Sequence, residues 1–397
     1  MPKLFQINAT ANWGSTGRIA EQIGILAQEH GWESFLAYGR NQNPSNNTLI
    51  RVGYKCSPYF HFAEQFIFDN EGLCSRLETK KLIRQIEQIK PDIINLHNIH
   101  DHFLNYKLLF EYLNKSDIKV VWTFHDCWAM TGHCMHFVNK GCERWKTGCY
   151  DCLMRGEYPI SLLDRSRRNW GLKKRLFAQN KNLTIVACSH WMADIVKESY
   201  LKDKTLEVIH NGCDIEIFTP QLREHNDKFR ILAVSSIWNS NKGELDIYKL
   251  RRMLPEDEYD IVMVGLSSNQ IKSLPSGIIG IQRTQNQQDL SRYYSDADVL
   301  INLSYEDTFP TVNIEALACG TPVITYRTGG SLEAVDLATG AIVEQADLNT
   351  LCERIKEFKF LKFKEMHSTD CRKRAEELFD KHKCFERYIK LYERILK

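Results

Sequence analysis

The sequence lacks any apolar run of about 18 residues, the length that a bilayer-spanning helix needs. Its first residues, MPKLFQINATANWG, show no charged start followed by a long apolar run, so a cleaved secretory signal is not expected. An excess of one charge is also missing, since 52 Lys and Arg stand against 50 Asp and Glu. That balance gives no support for a nucleic-acid partner. These absences predict a cytoplasmic protein.

Low-complexity tracts and short internal repeats are absent too, and a fully paired disulfide framework fits poorly with 13 cysteines, an odd number. A cytoplasmic location would keep these thiols reduced. At 397 residues the chain is too long for a single core, so two or three domains are expected.

Short, continuous apolar runs alternate with helical patterns along both halves. Such runs are typical of strands that are buried on both faces of a parallel sheet. In the first half they are Lys3–Asn8, Ser34–Gly39, Asp92–His97, Lys119–His125, Leu183–Ser189 and Leu206–Gly212. In the second half they are Phe229–Ser236, Tyr259–Gly265, Gly277–Gln282, Asp298–Ser304 and Pro322–Tyr326.

Two successive βαβ series predict an α/β protein with two Rossmann-like, doubly wound domains. The first domain is expected at 1–218 with a Cys-rich insertion at 127–152, and the second at 229–375. A polar stretch places the linker near 215–228. The apolar pattern of the last helix, 376–397, predicts that it packs back on the first domain.

The most specific stretch is SYEDTFPTVNIEALACGTPVITYRTGG, at Ser304–Gly330. A buried strand comes first, and Pro310 stands where a helix can begin. The first amides of that helix, near Thr311, lack intrahelical partners and form an anion site at the carboxyl edge of a parallel sheet. Asp307 before the helix and Glu315 inside it suit sugar hydroxyls, because carboxylates accept several hydrogen bonds.

This stretch resembles the family 4 glycosyltransferases of the GT-B fold. Their pattern is an acid, seven residues, then Glu, leading into a helix and a CGTPV strand; Asp307, Glu315 and Ala318–Val323 match it. The family usually has Glu at the first place, so Asp307 keeps the charge but is shorter by one methylene. The neighbouring Glu306 is a rival for the role, and we favour Asp307.

The resemblance continues in Val208–Pro220, which is similar to the family's interdomain segment, and in Ala233–Leu250, where Lys242 is followed by glycine. Family members often carry an Arg shortly before this Lys, and the chain has none there. Arg283 follows another strand at the same predicted edge and is our candidate substitute.

The resemblance implies a retaining hexosyltransferase that uses a nucleotide-diphosphate sugar, with the domains closing over a cleft. Glu315 would bind the ribose, and Asp307 would bind the donor sugar. Lys242 and the helix N-terminus would stabilise charge on the leaving diphosphate, which needs no metal cofactor for catalysis. The backbone that would help bind the donor is that of Thr308, Phe309, Pro310 and Thr311.

In the first half, Gly14 and Gly17 follow the first strand and allow close backbone approach to a phosphate or sugar. The family match makes this the glycine loop that faces the donor diphosphate; a tight strand–helix turn is the alternative. His125 stands at a strand end that resembles the family's catalytic histidine position.

Three further residues at strand ends of the first half are predicted to line the acceptor side: His97, Asn98 and Asp126. The resemblance implies a glycan or lipid-linked acceptor in surface polysaccharide synthesis.

The stretch Asp164–Phe177 carries six cations with apolar residues among them. One interpretation is a solvated helix that turns its apolar residues to the core. The other is a surface for anionic lipid headgroups or a pyrophosphate-linked acceptor at the inner face of the membrane, formed by Arg167, Arg168, Lys173 and Lys174.

Cys134, Cys142, Cys149 and Cys152 have spacings of seven, six and two intervening residues. The final Cys-x-x-Cys is a good half-site for zinc, whereas the first pair matches no common finger. A structural zinc, reduced thiols and disulfides all remain open. Two other functions also remain open: a zinc-dependent hydrolase that uses this cluster, and a non-catalytic sugar-nucleotide-binding protein.

Overall fold

Two parallel sheets organise the chain in the computed structural model, which describes residues 1–223 and 227–397. The chain divides into two compact units, the first of Met1–His210 with Phe385–Lys397 and the second of Asn211–Cys384. The division falls earlier than the boundary expected at 218. The predicted linker at 215–228 includes residues 224–226, which lie outside the described residues.

The first unit holds a seven-stranded parallel sheet in the order β3-β2-β1-β4-β5-β6-β7. Its strands are β1 (Lys3–Asn8), β2 (Glu33–Tyr38), β3 (Thr48–Arg51), β4 (Ile93–Leu96), β5 (Lys119–Phe124), β6 (Leu183–Ala187) and β7 (Thr205–Val208). Its helices are α1 (Gly14–Glu29), α2 (Ser57–Phe68), α3 (Arg76–Ile89), α4 (Tyr106–Leu113), α5 (Ser166–Ala178) and α6 (His190–Glu198).

The second unit holds a six-stranded parallel sheet in the order β10-β9-β8-β11-β12-β13. Its strands are β8 (Phe229–Val234), β9 (Tyr259–Val264), β10 (Ile278–Ile281), β11 (Val299–Asn302), β12 (Val323–Tyr326) and β13 (Gly340–Val343). Its helices are α7 (Glu244–Met253), α8 (Ser268–Lys272), α9 (Gln287–Asp296), α10 (Thr311–Ala318), α11 (Leu348–Phe360) and α12 (Phe363–Leu378).

Burial explains why the central strands read as continuous apolar runs. Every residue of β4, β6, β11 and β12 is buried, because helices cover both faces of a parallel sheet. The predicted fold class, two Rossmann-like α/β domains, is therefore confirmed. Sequence analysis missed β3 and β13, which are edge strands with only partly buried residues at their centres.

The last helix, α13 (Lys381–Leu396), starts in the second unit and belongs to the first unit from Phe385 onward. Tyr392 anchors it there. The Tyr392 hydroxyl accepts a hydrogen bond from Asn95 Nδ2 at 2.8 Å, and its ring lies 5.8 Å from that of Trp32. The apolar stripe of this helix is thus buried against the β1–β4 region of the first sheet.

Arg372 on α12 holds three backbone segments of the second unit together. Its guanidinium donates to the carbonyl oxygens of Ile215 at 3.0 Å, Phe218 at 2.7 Å and Ala318 at 2.8 Å. The side chain is only 21% exposed, so these carbonyls would lose good partners if it were removed.

We therefore expect Arg372→Leu to lower the free energy of unfolding by roughly 2–3 kcal/mol. The adjacent Lys373→Leu is the matched control. Lys373 is 66% exposed and lies as far as 3.9 Å from its acidic partner, so its ion pair contributes little to stability. Thermal and urea unfolding of the two variants would measure the difference. Equal losses would show that the three carbonyl contacts contribute nothing.

Candidate active site

Lys242 is fixed by a short turn after β8. Asn239 caps the 3₁₀ turn Ser240–Lys242, accepting the Lys242 amide at 3.1 Å. Gly243 follows with φ of +72°, and a Cβ on it would lie 2.4 Å from the carbonyl oxygen of Leu303. Only glycine allows this approach, so the Lys-Gly pair of the sequence reflects the contact between two loops.

Asp307 lies in the loop after β11, and β11 pairs directly with β8. Lys242 Nζ is 2.8 Å from Asp307 Oδ2. The two side chains are 33% and 18% exposed, so the ion pair is partly shielded yet reachable from solvent. The structure therefore joins the predicted cation and the favoured carboxylate, whereas Glu306 is nearly buried, at 7% exposure.

Glu315 lies one turn inside α10, which begins after Pro310 without a side-chain cap from the described residues. Its carboxylate is 6% exposed, and Tyr294 donates its hydroxyl to Oε2 at 2.9 Å. Tyr294 is a site residue that sequence analysis missed, because nothing in its spacing ties α9 to α10. The buried carboxylate suits a fixed hydrogen-bond acceptor.

The segment before α10 is anchored by packing. Phe309 is 3% exposed, its ring lies 5.7 Å from Phe379, and its carbonyl accepts from Asn211 Nδ2 at 3.3 Å. Thr308 is also buried, whereas Thr311 is partly exposed at the helix start. This anchoring holds the first amides of α10 in place.

Arg283 is exposed and follows β10, the outermost strand of the second sheet. β9 separates β10 from β8, so the strand before Arg283 is about 10 Å from β8, the strand that precedes Lys242. Arg283 shares the carboxyl edge with Lys242, and its donor contact stays a prediction.

Family models match both halves of the chain. The model described as glycosyl transferases group 1 matches residues 214–377, and the model described as glycosyltransferase family 4 matches residues 58–217.

Individual proteins agree with the family models. The colanic acid biosynthesis glycosyl transferase WcaC of Escherichia coli K12 is 26% identical over 279 residues, 67% of each chain. This chain belongs to the GT-B glycosyltransferases. Two solved structures share the fold of this glycosyltransferase. HepE of Anabaena with UDP has a TM-score of 0.67 and 13% identity, with 99% of this chain and 100% of that chain covered. WaaG, a glycosyltransferase involved in lipopolysaccharide biosynthesis, has a TM-score of 0.69 and 15% identity, with 98% of this chain and 99% of that chain covered.

In the first unit of the glycosyltransferase, Gly14 opens α1 with φ of +67° and no side-chain cap from the described residues. A Cβ on Gly17 would lie 2.7 Å from Thr10 Oγ1, so the helix start needs glycine to approach the loop after β1. The predicted glycine loop is therefore a tight strand–helix turn, with its phosphate role still a prediction.

His97 and His125 follow the paired strands β4 and β5 and contact each other, with His97 Nδ1 3.0 Å from His125 Nε2. Burial lowers the pKa of His97 well below its usual range, and the charge of His125 acts in the same direction. Burial likewise lowers the pKa of His125 to about 4, helped by His100 and opposed by Asp126. Both rings are neutral at pH 7.

Polar contacts surround both nitrogens of His97. Gln6 donates its amide to Ala20 O at 2.7 Å, so its Oε1 faces His97 Nε2, at 3.1 Å, as an acceptor. Asn95 Nδ2, a donor, lies 3.3 Å from the same nitrogen. These two contacts favour opposite tautomers of His97, and in either case one neutral ring donates to the other between His97 Nδ1 and His125 Nε2.

Asp126 and Asn98 have structural contacts. Asp126 accepts from His100 Nε2 and from the Trp128 amide, both at 2.8 Å. Burial raises the pKa of Asp126, but His100 outweighs it and the pKa falls to about 2. The Asn98 amide donates to Asn8 Oδ1 at 3.2 Å. Both residues border the His97–His125 pair, and their acceptor role stays a prediction.

A second buried cluster of the first unit was not predicted from the sequence. Glu71, His61 and His102 bring their ligand-type atoms within 4.8 Å of one another. The pKa of Glu71 falls below its usual range because, although burial raises it, the hydrogen bond from His102 outweighs burial. Glu71 also accepts from the Asp101 amide at 2.7 Å.

The Glu71 cluster holds the loop after β4, where Asp101 and His102 both have positive φ. His61 is engaged as well, because its Nδ1 is 3.0 Å from Ser75 Oγ and its Nε2 accepts the Gly72 amide. We interpret the cluster as a structural network. No fixed spacing in the sequence connects its members, so the pattern gave no signal.

The depressed pKa of His125 predicts a pH-dependent stability. The unfolded imidazole titrates near 6.5 and the folded one near 4, so stability is fully present above pH 6.5 and is lost as the pH falls towards 4. His125→Asn removes this proton uptake. We therefore expect the stability difference between wild type and His125→Asn to shift by about 2 kcal/mol between pH 7.5 and 5, with wild type losing more.

Unfolding midpoints at both pH values would measure this shift. The exposed His382→Asn is the control and should track wild type across the range. A His125→Asn protein whose difference from wild type stays constant with pH would contradict the neutral, buried state of His125.

Proposed function

We propose that this glycosyltransferase is a retaining enzyme that moves a hexose from a nucleotide-diphosphate sugar to a glycan or lipid-linked acceptor in bacterial surface-polysaccharide synthesis. The observation that carries the proposal is the Lys242–Asp307 pair, 2.8 Å apart, with the buried Glu315 inside the neighbouring helix. The names of WcaC and WaaG, and the UDP in HepE, support the pathway and the donor class.

Electrostatics explain why these residues suit the reaction. Departure of a nucleoside diphosphate leaves negative charge on its oxygens, and a preorganised cation with helix amides stabilises that charge. Lys242 is such a cation, and the amides at the start of α10 point the positive end of a helix dipole outward. No metal ion is needed for this step.

Asp307 would have two roles in succession. Without donor it neutralises Lys242 at 2.8 Å and holds the ammonium in place. With donor bound, its carboxylate would accept sugar hydroxyls while Lys242 turns to the diphosphate. Glu315, whose position Tyr294 fixes, would accept the ribose hydroxyls.

Retention would follow from attack on the face from which the diphosphate departs, with the diphosphate taking the proton of the acceptor hydroxyl. Burial keeps His125 neutral, so it would orient hydroxyl groups by hydrogen bonding. In this scheme the chain supplies positioning and charge stabilisation, and no covalent enzyme intermediate forms.

Kinetics would test these roles, with the donor selected from UDP-, GDP- and ADP-sugars by thermal shift. We expect Lys242→Met to lower kcat roughly 100-fold, since it removes a charge-stabilising group. Asp307→Asn is expected to lower kcat/KM roughly 10- to 100-fold, and Glu315→Gln to raise the KM for the donor.

Glu306→Gln is the matched control for Asp307→Asn and should lose much less activity. Full turnover by Asp307→Asn together with a large loss in Glu306→Gln would exchange the two assignments. Nucleotide binding without transfer or donor hydrolysis would favour a binding protein instead.

A basic pocket in the first unit supports a membrane-proximal acceptor. It has a volume of about 590 Å³ and lies among α2, α3, α4 and α5. Glu64 is the acidic residue in its lining, against six cationic residues, Arg76, Lys80, Lys107, Arg167, Arg168 and Arg175. Such an excess of positive charge attracts phosphate groups.

An apolar surface adjoins this pocket. On α2, Tyr59 and Phe60 are 77% and 73% exposed. The amide of Leu162 donates to Phe66 O at 2.7 Å, which places the exposed Leu162 and Leu163 beside the same helix. Exposed aromatic and aliphatic side chains next to cations are typical of proteins that lie on anionic membranes.

Lys173, predicted from the sequence to belong to this basic surface, does not lie there, so that prediction is wrong. Lys173 is 1% exposed, because the face of α5 that carries it turns to the core with Trp170 and Phe177. None of the described helices combines the length and the apolarity that a bilayer crossing requires. We propose that the exposed side chains of α2 and the pocket cations dock on an anionic bilayer.

We expect Arg167→Glu/Arg168→Glu to reduce cosedimentation with vesicles that contain anionic phospholipid several-fold, because the pocket loses four units of positive charge. Vesicles of zwitterionic lipid alone should bind wild type weakly. Tyr59→Ser/Phe60→Ser should weaken binding to anionic vesicles without changing its salt dependence.

The matched control is Arg252→Glu/Lys272→Glu, which changes the net charge equally at exposed positions of the second unit. Free pyrophosphate as competitor distinguishes a soluble phosphate site from a lipid surface. Equal sedimentation of the Arg167/Arg168 variant and the control would contradict the membrane proposal.

A further inference from the structure

The segment between β5 and α5 is the longest part of the first unit without regular structure. Between Phe124 and Ser166 the described chain forms only two three-residue 3₁₀ turns, Trp128–Met130 and Arg144–Lys146. Loops of this length inside a compact domain are uncommon unless something ties them down. Four cysteines lie in this segment.

Contacts bring the cysteine sulfurs towards one another. Cys134 donates its thiol hydrogen to the sulfur of Cys152. Cys149 accepts the amide of Gly132 at 3.2 Å, so it lies beside the chain that carries Cys134. Cys149 also interacts electrostatically with Cys142 and Cys152. All four sulfurs therefore share one neighbourhood, although the cysteines are up to 18 residues apart in sequence.

Local backbone geometry favours sulfur ligation. Asp151, inside the Cys149–Cys152 pair, has φ of +44°, and Gly148 before it has φ of +154°. The turn points both sulfurs of the Cys-x-x-Cys to the interior, where they pack against the core of the first unit. The amide of Gly132 donates to Cys149 Sγ and favours its thiolate form, while burial acts more strongly in the opposite direction and raises the pKa of this thiol.

The burial of Lys173 is a second observation, and it points to negative charge beside the four cysteines. Its ammonium is buried, 2.7 Å from Trp128 O and 3.4 Å from the centre of the Trp128 ring. It interacts electrostatically with Cys149 and Cys134 and, after them, with the carboxylates of Glu71 and Asp69. A buried cation is costly unless an anion compensates it.

We propose that Cys134, Cys142, Cys149 and Cys152 bind a structural Zn²⁺ and that Lys173 supplies its countercharge. Four thiolates around Zn²⁺ carry a net charge of −2, and the buried ammonium compensates half of it. Binding releases the thiol protons to solvent and changes no oxidation state. Four sulfur ligands close the coordination sphere, so the metal leaves no position for a reacting water.

The sulfurs must move closer together to reach zinc geometry. Zn–S bonds of about 2.3 Å set tetrahedral sulfurs about 3.8 Å apart. No three of the described cysteine sulfurs yet lie within 4.8 Å of one another. The metal would draw Cys142 and the Cys149–Cys152 turn inward and stiffen the segment 127–152.

Metal analysis of the full chain tests this proposal, and it is independent of the proposed function because the readout is not activity. Protein purified without chelator should contain about one zinc per chain, released when a mercurial blocks the thiols. Co²⁺ in place of zinc should give the visible absorption of a tetrahedral thiolate site. Below about 0.2 zinc per chain, or with disulfides by mass analysis, the proposal fails.

Variants assign the ligands. Cys142→Ser and Cys149→Ser should lose most of the zinc and lower the unfolding midpoint. Cys56→Ser, at an exposed cysteine outside the segment, should keep both. Lys173→Met should retain zinc but lose it at least tenfold faster to a competing chelator. Full zinc in Cys142→Ser would remove Cys142 from the site, and unchanged release from Lys173→Met would remove the countercharge role.

Discussion

Parallel pairing is the constraint from which the candidate site follows, because it places the carboxyl ends of neighbouring strands at one edge of each sheet. β8 pairs with β11, so the loops after them meet and Lys242 reaches Asp307 at 2.8 Å. β4 pairs with β5, and His97 reaches His125 at 3.0 Å in the same way. The order of the strands thus brings residues that are far apart in sequence to the same edge.

Strand order brings loops together, but the close approach depends on local chemistry. Gly243 admits the carbonyl of Leu303 where any side chain would clash, and Asn239 closes the turn that presents Lys242. Tyr294 likewise fixes the carboxylate of Glu315, and the packing of Phe309 holds the start of α10 in place. The charged groups are thus positioned before any ligand binds, which lowers the reorganisation that a reaction would require.

The two sheets could be predicted because fully buried strands are continuous apolar runs in the sequence. Asp307, Glu315 and Lys242 could be proposed as donor-site residues because their segments carry family motifs. β3 and β13 were missed, because their half-exposed edge positions weaken the apolar signal. The burial of Lys173 was also missed, since a helical cation normally faces solvent and only its Trp128 contact shows otherwise. Contacts between distant loops, such as Glu71 with His102, have no one-dimensional pattern.

The two units differ in the charged and hydrogen-bonding groups that they present at the carboxyl edges of their sheets. Burial keeps His97 and His125 neutral, so the first unit presents hydrogen-bonding rings at its sheet edge rather than positive charge. Neutral hydrogen-bonding rings discriminate hydroxyl groups by geometry, whereas a cation would attract any anion. The second unit carries Lys242 and an uncapped helix start, which suit the phosphate groups of a donor. In the proposed reaction, Lys242 and the amides of α10 would stabilise the negative charge of a departing diphosphate.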